Sequence, residues 1–177
     1  MAFYKKASFK KALAGLAIVC IFTVPVQADQ ETGAYFGLGY NRTDFEGYNY
    51  DGSIGQLSLR GGYMINHSFG IELTAIVPSD STDDGYVTEV GMLAISGMGI
   101  IPLGEYWDIY GKLGVAQVST DTKFNDTYQV QEDSTELYAG LGIELDFGTI
   151  NYYLEYNWFD IDLVDLETLS AGIKFEF

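Results

Sequence analysis

Leu169-Ser170-Ala171-Gly172-Ile173-Lys174-Phe175-Glu176-Phe177 closes the sequence. Leu169, Ala171, Ile173, Phe175 and Phe177 are apolar, and the residues between them are polar or small. That is a β-strand of period two with one oily and one polar face. A frayed terminus in water gains little by ending on a bare aromatic such as Phe177. Lipid on the oily side and a polar interior on the other suit the pattern. The stretch therefore predicts the last strand of a membrane-spanning barrel.

The opposite end predicts export. Lys5, Lys6, Lys10 and Lys11 precede an apolar run from Ala12 to Val24, and Val26-Gln27-Ala28 offers small residues at a cleavage site. This is the pattern of a secretory signal peptide, residues 1–28, cut before Asp29. The run is shorter than the ~20 residues of a transmembrane helix, which disfavours a retained anchor. Cys20, the single cysteine, lies inside this segment and follows Val19, so neither a lipoprotein signal nor disulfide or thiol chemistry is expected of residues 29–177. All 25 acidic residues fall in 29–177 against five basic ones, Arg42, Arg60, Lys112, Lys123 and Lys174, for a formal net charge of −20. Such a chain repels phosphate backbones, which argues against nucleic-acid binding. With 47% apolar residues and many aromatics, it is not disorder-prone either.

Between these ends lie alternating segments separated by Asn, Asp, Gly and Ser clusters. With the terminal one there are eight, near 35–43, 55–64, 69–77, 88–101, 107–118, 135–147, 151–159 and 169–177. The sixth is the clearest, with Leu137, Ala139, Leu141, Ile143, Leu145 and Phe147 against Glu136, Tyr138, Gly140, Gly142, Glu144 and Asp146. The fourth is Gly- and Met-rich, and its inside/outside phase stays open. Connections after the second, fourth and sixth segments are short. Those after the first, third and fifth, near 44–54, 78–87 and 119–134, are longer, and the last, near 160–167, is intermediate. The expectation is an all-β, eight-stranded antiparallel up-and-down transmembrane barrel over 29–177, with short periplasmic turns and long outer loops.

A soluble eight-stranded barrel would share the alternation. Against it stand the charges on the inward face, the aromatics gathered near both strand ends, and the export signal with the aromatic terminus.

Short motifs sharpen this. Tyr35-Phe36-Gly37-Leu38-Gly39-Tyr40, Arg60-Gly61-Gly62-Tyr63, Tyr110-Gly111-Lys112-Leu113-Gly114, Tyr138-Ala139-Gly140-Leu141-Gly142-Ile143-Glu144 and Leu154-Glu155-Tyr156 resemble the strands of small OmpA-like and OmpX-like "porin family" outer-membrane barrels of Gram-negative bacteria. Each motif is short; their order and spacing, covering nearly all of 29–177, carry the likeness. The sequence stops at the last strand, so the resemblance does not extend to the periplasmic peptidoglycan-binding domain of full OmpA proteins. The terminal strand, with Gly172, Ile173, Phe175 and Phe177, is similar to the one read during insertion of such barrels, which implies the barrel-assembly machinery as a partner. Outer-membrane lipid, lipopolysaccharide and a monomeric state are implied as well.

Two sets of residues are candidates for function. Arg60, Glu72, Lys112, Glu144, Glu155 and Lys174 fall on the inward face, and an ion-paired network filling a narrow lumen is expected of them. The outer connections are rich in acids and tyrosines, with Tyr48, Tyr50, Asp83, Asp84, Tyr86 and Tyr128 as candidate contacts. Tyr-rich polar loops on a rigid scaffold suit a surface interaction, and their charge favours a cationic or host surface partner. Asp80-Ser81-Thr82-Asp83-Asp84-Gly85 begins like a calcium loop, but position twelve is Gly91 instead of Glu, so no metal or cofactor is expected. His67, the single histidine, adjoins Ser68 in a short turn where neighbours point opposite ways, a poor catalytic pair. The reading is a non-catalytic membrane or surface role. A narrow porin-like channel is the alternative, and a lipid-modifying enzyme the remote one.

Overall fold

The computed structural model describes residues 32–47, 50–83, 86–124, 128–160 and 165–177. The expected signal segment 1–28 and the candidates Tyr48 and Asp84 lie outside the described residues, and for Tyr50, Asp83, Tyr86 and Tyr128 only the backbone is described. The strands are β1 (Gly33–Gly47), β2 (Tyr50–Asn66), β3 (Phe69–Asp83), β4 (Tyr86–Pro102), β5 (Trp107–Phe124), β6 (Tyr128–Asp146), β7 (Ile150–Asp160) and β8 (Asp165–Glu176). Each pairs antiparallel with its sequence neighbours. β8 closes on β1 from Tyr35↔Glu176 to Glu46↔Asp165, giving one closed up-and-down barrel.

The outer wall explains where this barrel can exist. Leu57, Leu113 and Leu137 are 63, 69 and 60% exposed, and Ile71, Ile95, Leu141 and Leu154 continue the belt. A continuous apolar belt of this kind would aggregate in water and is the normal outer face of a barrel in lipid. Tyr63, Phe69, Trp107, Phe147, Tyr152 and Phe177 rim it at the end nearer the termini, with Tyr40 and Trp158 at the other. The turns at the terminal end are locally specified. Asn66 Oδ1 accepts from the backbone N–H groups of Ser68 and Phe69, each at 2.9 Å. Gly148 takes a φ of 85°, a conformation glycine adopts without steric cost, while its N–H donates to Asp146 Oδ1.

One expectation is corrected. The long loops are mostly strand: β2 begins at Tyr50, β3 runs to Asp83, β5 to Phe124, and β6 starts at Tyr128. At the outer end β1 is described to Gly47, β3 to Asp83, β5 to Phe124 and β7 to Asp160. Above the lipid both faces of a hairpin meet water, so the hydrophobic alternation fades while backbone pairing continues. Tyr86-Val87-Thr88 and Val118-Ser119-Thr120 keep the β-branched and aromatic types that favour strands. Acids expected in loops, among them Asp44, Asp51, Asp121, Asp133 and Glu167, lie on strands.

Candidate functional site

The interior is built from strand alternation plus size matching. Tyr35 sits opposite Gly62, Tyr110 opposite Gly142, and Tyr153 opposite Gly172. Each ring fills the space a side chain at the facing glycine would need: a Cβ on Gly62 would come within 2.3 Å of Tyr35 Cζ, and one on Gly142 within 2.2 Å of Tyr110 Cζ. Gly62, Gly142 and Gly172 are thus sockets for lumen tyrosines.

Arg60 on β2, Glu72 on β3, Lys112 on β5 and Glu155 on β7 meet in the centre, all almost fully buried. Arg60 reaches Glu155 with both terminal nitrogens, at 3.1 and 3.4 Å, and its Nη1 is 3.8 Å from Glu72. Lys112 Nζ donates to Glu72 Oε1 at 2.6 Å and also bonds Glu155. The two positive and two negative groups balance. Remaining acceptor capacity is used by Tyr35 and Thr74 on Glu72, and by Tyr110 and Asn157 on Glu155. The Arg60 guanidinium lies 3.7 Å from the centre of the Tyr153 ring. Charges this deep are costly unless paired and hydrogen-bonded; here the pairing is complete, and Arg60 Nε is left without a hydrogen-bond partner among the described residues.

Glu144 and Lys174 do not join this quartet. They form a second group nearer the terminal end, Lys174 Nζ lying 2.5 Å from Glu144 Oε2 and 3.9 Å from Glu176 Oε1. Asn151 Nδ2 donates to both Glu144 and Glu176.

Toward the outer end the lumen changes character. A polar layer of Thr43, Gln56, Ser58, Thr168 and Ser170 follows the quartet. Beyond it Ile54, Ile76, Val90, Met92, Val118 and Leu166 pack with Tyr138 and Phe159, whose rings stack at 5.3 Å. This apolar plug was missed by reading the sequence, which assigned inward positions by their polarity. Its signal was the undecided phase of the fourth segment. β4 sends Val90, Met92, Ala94, Ser96 and Met98 inward and leaves Ile95, Gly97 and Ile101 exposed, so both faces are rich in apolar residues. The register shift between Ile76 and Ser79 also resets the alternation in β3.

The outer surface is nearly devoid of positive charge. Three of the five basic residues of 29–177, Arg60, Lys112 and Lys174, are consumed inside the lumen. Arg42 is exposed but bonds Asp44 at 3.0 Å. Acidic residues occupy paired register positions across the outer strands: Asp80↔Glu89↔Asp121 over β3, β4 and β5, and Asp165↔Glu46↔Asp51 over β8, β1 and β2. Among the described residues no cluster of three or more His, Cys, Asp or Glu is placed to hold a metal ion. His67 is exposed in its turn.

Residues 14–177 match the sequence profile of the family described as "Outer membrane protein beta-barrel domain". No curated protein sequence matches the chain. Among solved structures, Ail, the attachment invasion locus protein of Yersinia pestis, determined in complex with the heparin analogue sucrose octasulfate, aligns with a TM-score of 0.67 at 16% identity, over 84% of this chain and all of that one. Neisserial surface protein A aligns with a TM-score of 0.71 at 11% identity over 84% of this chain and all of its own. OprG from Pseudomonas aeruginosa gives 0.63 at 17%, over 83% of this chain and 97% of that one. At these identities the likeness is one of fold.

Proposed function

We propose, for a chain that belongs to the outer membrane protein β-barrel domain family, a closed barrel that acts through its outer surface and not through its lumen. The observation that carries this is the double obstruction of the interior. A balanced ion quartet fills the centre, and an apolar plug fills the outer mouth. Ions crossing would have to displace paired charges and then pass a dry constriction, and hydrophobic constrictions block conduction by dewetting. What remains for function is the outer extension, with acids on every hairpin and little positive charge to balance them.

That charge also gives the class of partner. Ail was crystallised with a polyanion; this barrel, with three of the five cations of residues 29–177 spent internally, repels polyanions and attracts cationic surfaces or peptides. The rest of the reading is conventional for such a barrel. Residues 1–28 are removed on export. The strand containing Gly172, Ile173, Phe175 and Phe177 is read by the assembly machinery. The belt sits as a monomer in outer-membrane lipid and lipopolysaccharide, because closure leaves no strand edge within the bilayer.

Planar-bilayer recording of the protein purified from outer membranes tests it. A silent bilayer, with insertion verified by protease protection, is the expected result. Discrete conductance steps that shift on Lys112→Ala would overturn it in favour of a narrow channel.

A further inference from the structure

One seam of the wall is incomplete. β2 pairs with β1 from Gly33↔Met64 to Gly47↔Tyr50, and β3 pairs with β4 from Phe69↔Gly99 to Asp83↔Tyr86. Between β2 and β3 themselves, pairing among the described residues stops at Ser58↔Ile76. The cause lies in β3. Its register with β4 slips between Ile76 and Ser79, around Val77-Pro78. Proline has no N–H to offer a neighbouring strand, and a bulge breaks the ladder where it sits. β2 therefore loses its partner just above Ser58, and a cleft begins there. Its foot lies beside the pair Tyr40↔Leu57, at the outer aromatic rim.

One side chain crosses this foot. Gln56 is only 3% exposed and lies in the lumen. Its Nε2 donates to the Val90 carbonyl of β4 at 2.8 Å and lies 3.5 Å from the Val77 carbonyl in the slipped stretch of β3. Its Oε1 accepts from Thr43 Oγ1 of β1 at 3.0 Å, and Thr43 Oγ1 is 3.3 Å from Thr168 Oγ1 of β8. Turned over, the amide would set its oxygen against two carbonyl oxygens, so this orientation is the favoured one. The crossbar Thr168–Thr43–Gln56–Val90 thus ties β8, β1 and β2 to β4 where the β2–β3 ladder has failed. Ile54, Ile76 and Val90, its neighbours on three strands, belong to the apolar plug. A full ladder opens only by unpairing many backbone groups together. A seam held by one amide opens by one change of rotamer.

We propose that Gln56 is a latch on a lateral opening of the outer lumen. With the amide in place the cleft is shut and the plug is sealed from the side. With the amide released, β2 and β3 part above Ser58 and the plug is uncovered at the level of the membrane surface. The central quartet lies on the terminal side of the cleft, so the opening makes a side pocket and not a pore. The surface reading does not depend on it.

Thiol labelling tests the latch. Residues 29–177 contain no cysteine, so a single introduced thiol reports alone. Ile76→Cys places one beside the cleft, and Val118→Cys places one in the same plug on β5, two strands away. Each is made with and without Gln56→Met, which nearly keeps the size of the side chain and removes its donors. The protein is purified from outer membranes, held in nanodiscs and treated with a water-soluble maleimide. Gln56→Met should speed labelling at position 76 by about tenfold, the shift expected from losing one or two hydrogen bonds, and leave position 118 within about twofold. Thr43→Val keeps the shape of the threonine and frees Gln56 Oε1. It should speed labelling at position 76 by less, and it decides the question if Gln56→Met does not fold. Equal acceleration at both positions would show a general loosening of the plug. No acceleration at position 76 would show that the cleft stays shut without the amide. Either result overturns the latch.

Discussion

At its centre the lumen is filled by Arg60, Glu72, Lys112 and Glu155; toward the outer end it is filled by Ile54, Ile76, Val90, Met92, Val118 and Leu166. Both fillings exclude an open channel, yet they constrain the fold differently. A charge must find its counter-charge. Sliding β2 by one residue would turn Arg60 out into lipid and strand Glu155 inside, so the quartet penalises every wrong register. The apolar plug makes no such demand, because Val90 or Met92 would be as comfortable facing lipid. The quartet specifies, and the plug seals.

The largest expected effect comes from breaking the quartet on one side only. Arg60→Ala leaves Glu155 and Glu72 with Lys112 alone as counter-charge and should cost about 3–5 kcal/mol, read as a fall in the urea midpoint of the folded barrel in micelles. Arg60→Met combined with Glu155→Gln removes one charge of each sign and should cost clearly less than the single change. If the two variants unfold at the same midpoint, pairing is not what the quartet contributes.

Thinning the plug should cost less. Met92→Ala removes a buried side chain among Ile76, Val90 and Val118, and a cost toward the low end of about 2–5 kcal/mol is expected, since the flexible neighbours can relax into part of the space. The bilayer should stay silent in this variant, because the quartet still blocks the centre. Conductance in Met92→Ala would show the plug to be the sole barrier.

The tyrosine sockets divide the glycines in the same spirit. Gly142→Ala drives a methyl into the Tyr110 ring and should destabilise by about 1–3 kcal/mol. Gly97 faces outward on β4, and a Cβ there would meet nothing within 4 Å, so Gly97→Ala should be neutral or stabilise by up to about 1 kcal/mol. Thermal unfolding followed by electrophoretic mobility separates the two.

How much of this was legible follows the same division. The strands were readable wherever one face meets lipid, as in Leu137 to Phe147, because the two environments impose opposite chemistry on alternate residues. The lumen charges were readable for the same reason: a Lys or Glu between two apolar neighbours has only one place to go. Their sorting into a quartet and a separate Lys174–Glu144 group was not, since it depends on strand tilt and register. The plug was hidden because Val90 and Met92 look like lipid-facing residues. The outer strands were hidden because the sequence from Tyr128 to Glu136 carries no apolar/polar alternation to show.

The outer strands also hold the smallest effect. Glu89 on β4 is in register with Asp80 on β3 and Asp121 on β5, so three acidic residues occupy one row of the sheet. Like charges placed opposite each other destabilise a sheet by about 0.2–1 kcal/mol, and in this exposed region salt screens the repulsion over ~10 Å at 0.1 M. Glu89→Gln keeps the shape and removes the central charge. The hairpins should therefore become more stable by a fraction of a kcal/mol at low ionic strength, and the gain should shrink as salt is added. Hydrogen exchange of the β4 and β5 amides above Met92, measured at low and high salt, reads this locally without unfolding the barrel. A gain that persists at high salt would mean that the row is held against itself by packing. A loss would mean that the acids are held together by something that needs their charge. Only the expected outcome leaves the surface charge free to select a partner while the quartet and plug below it hold the barrel shut.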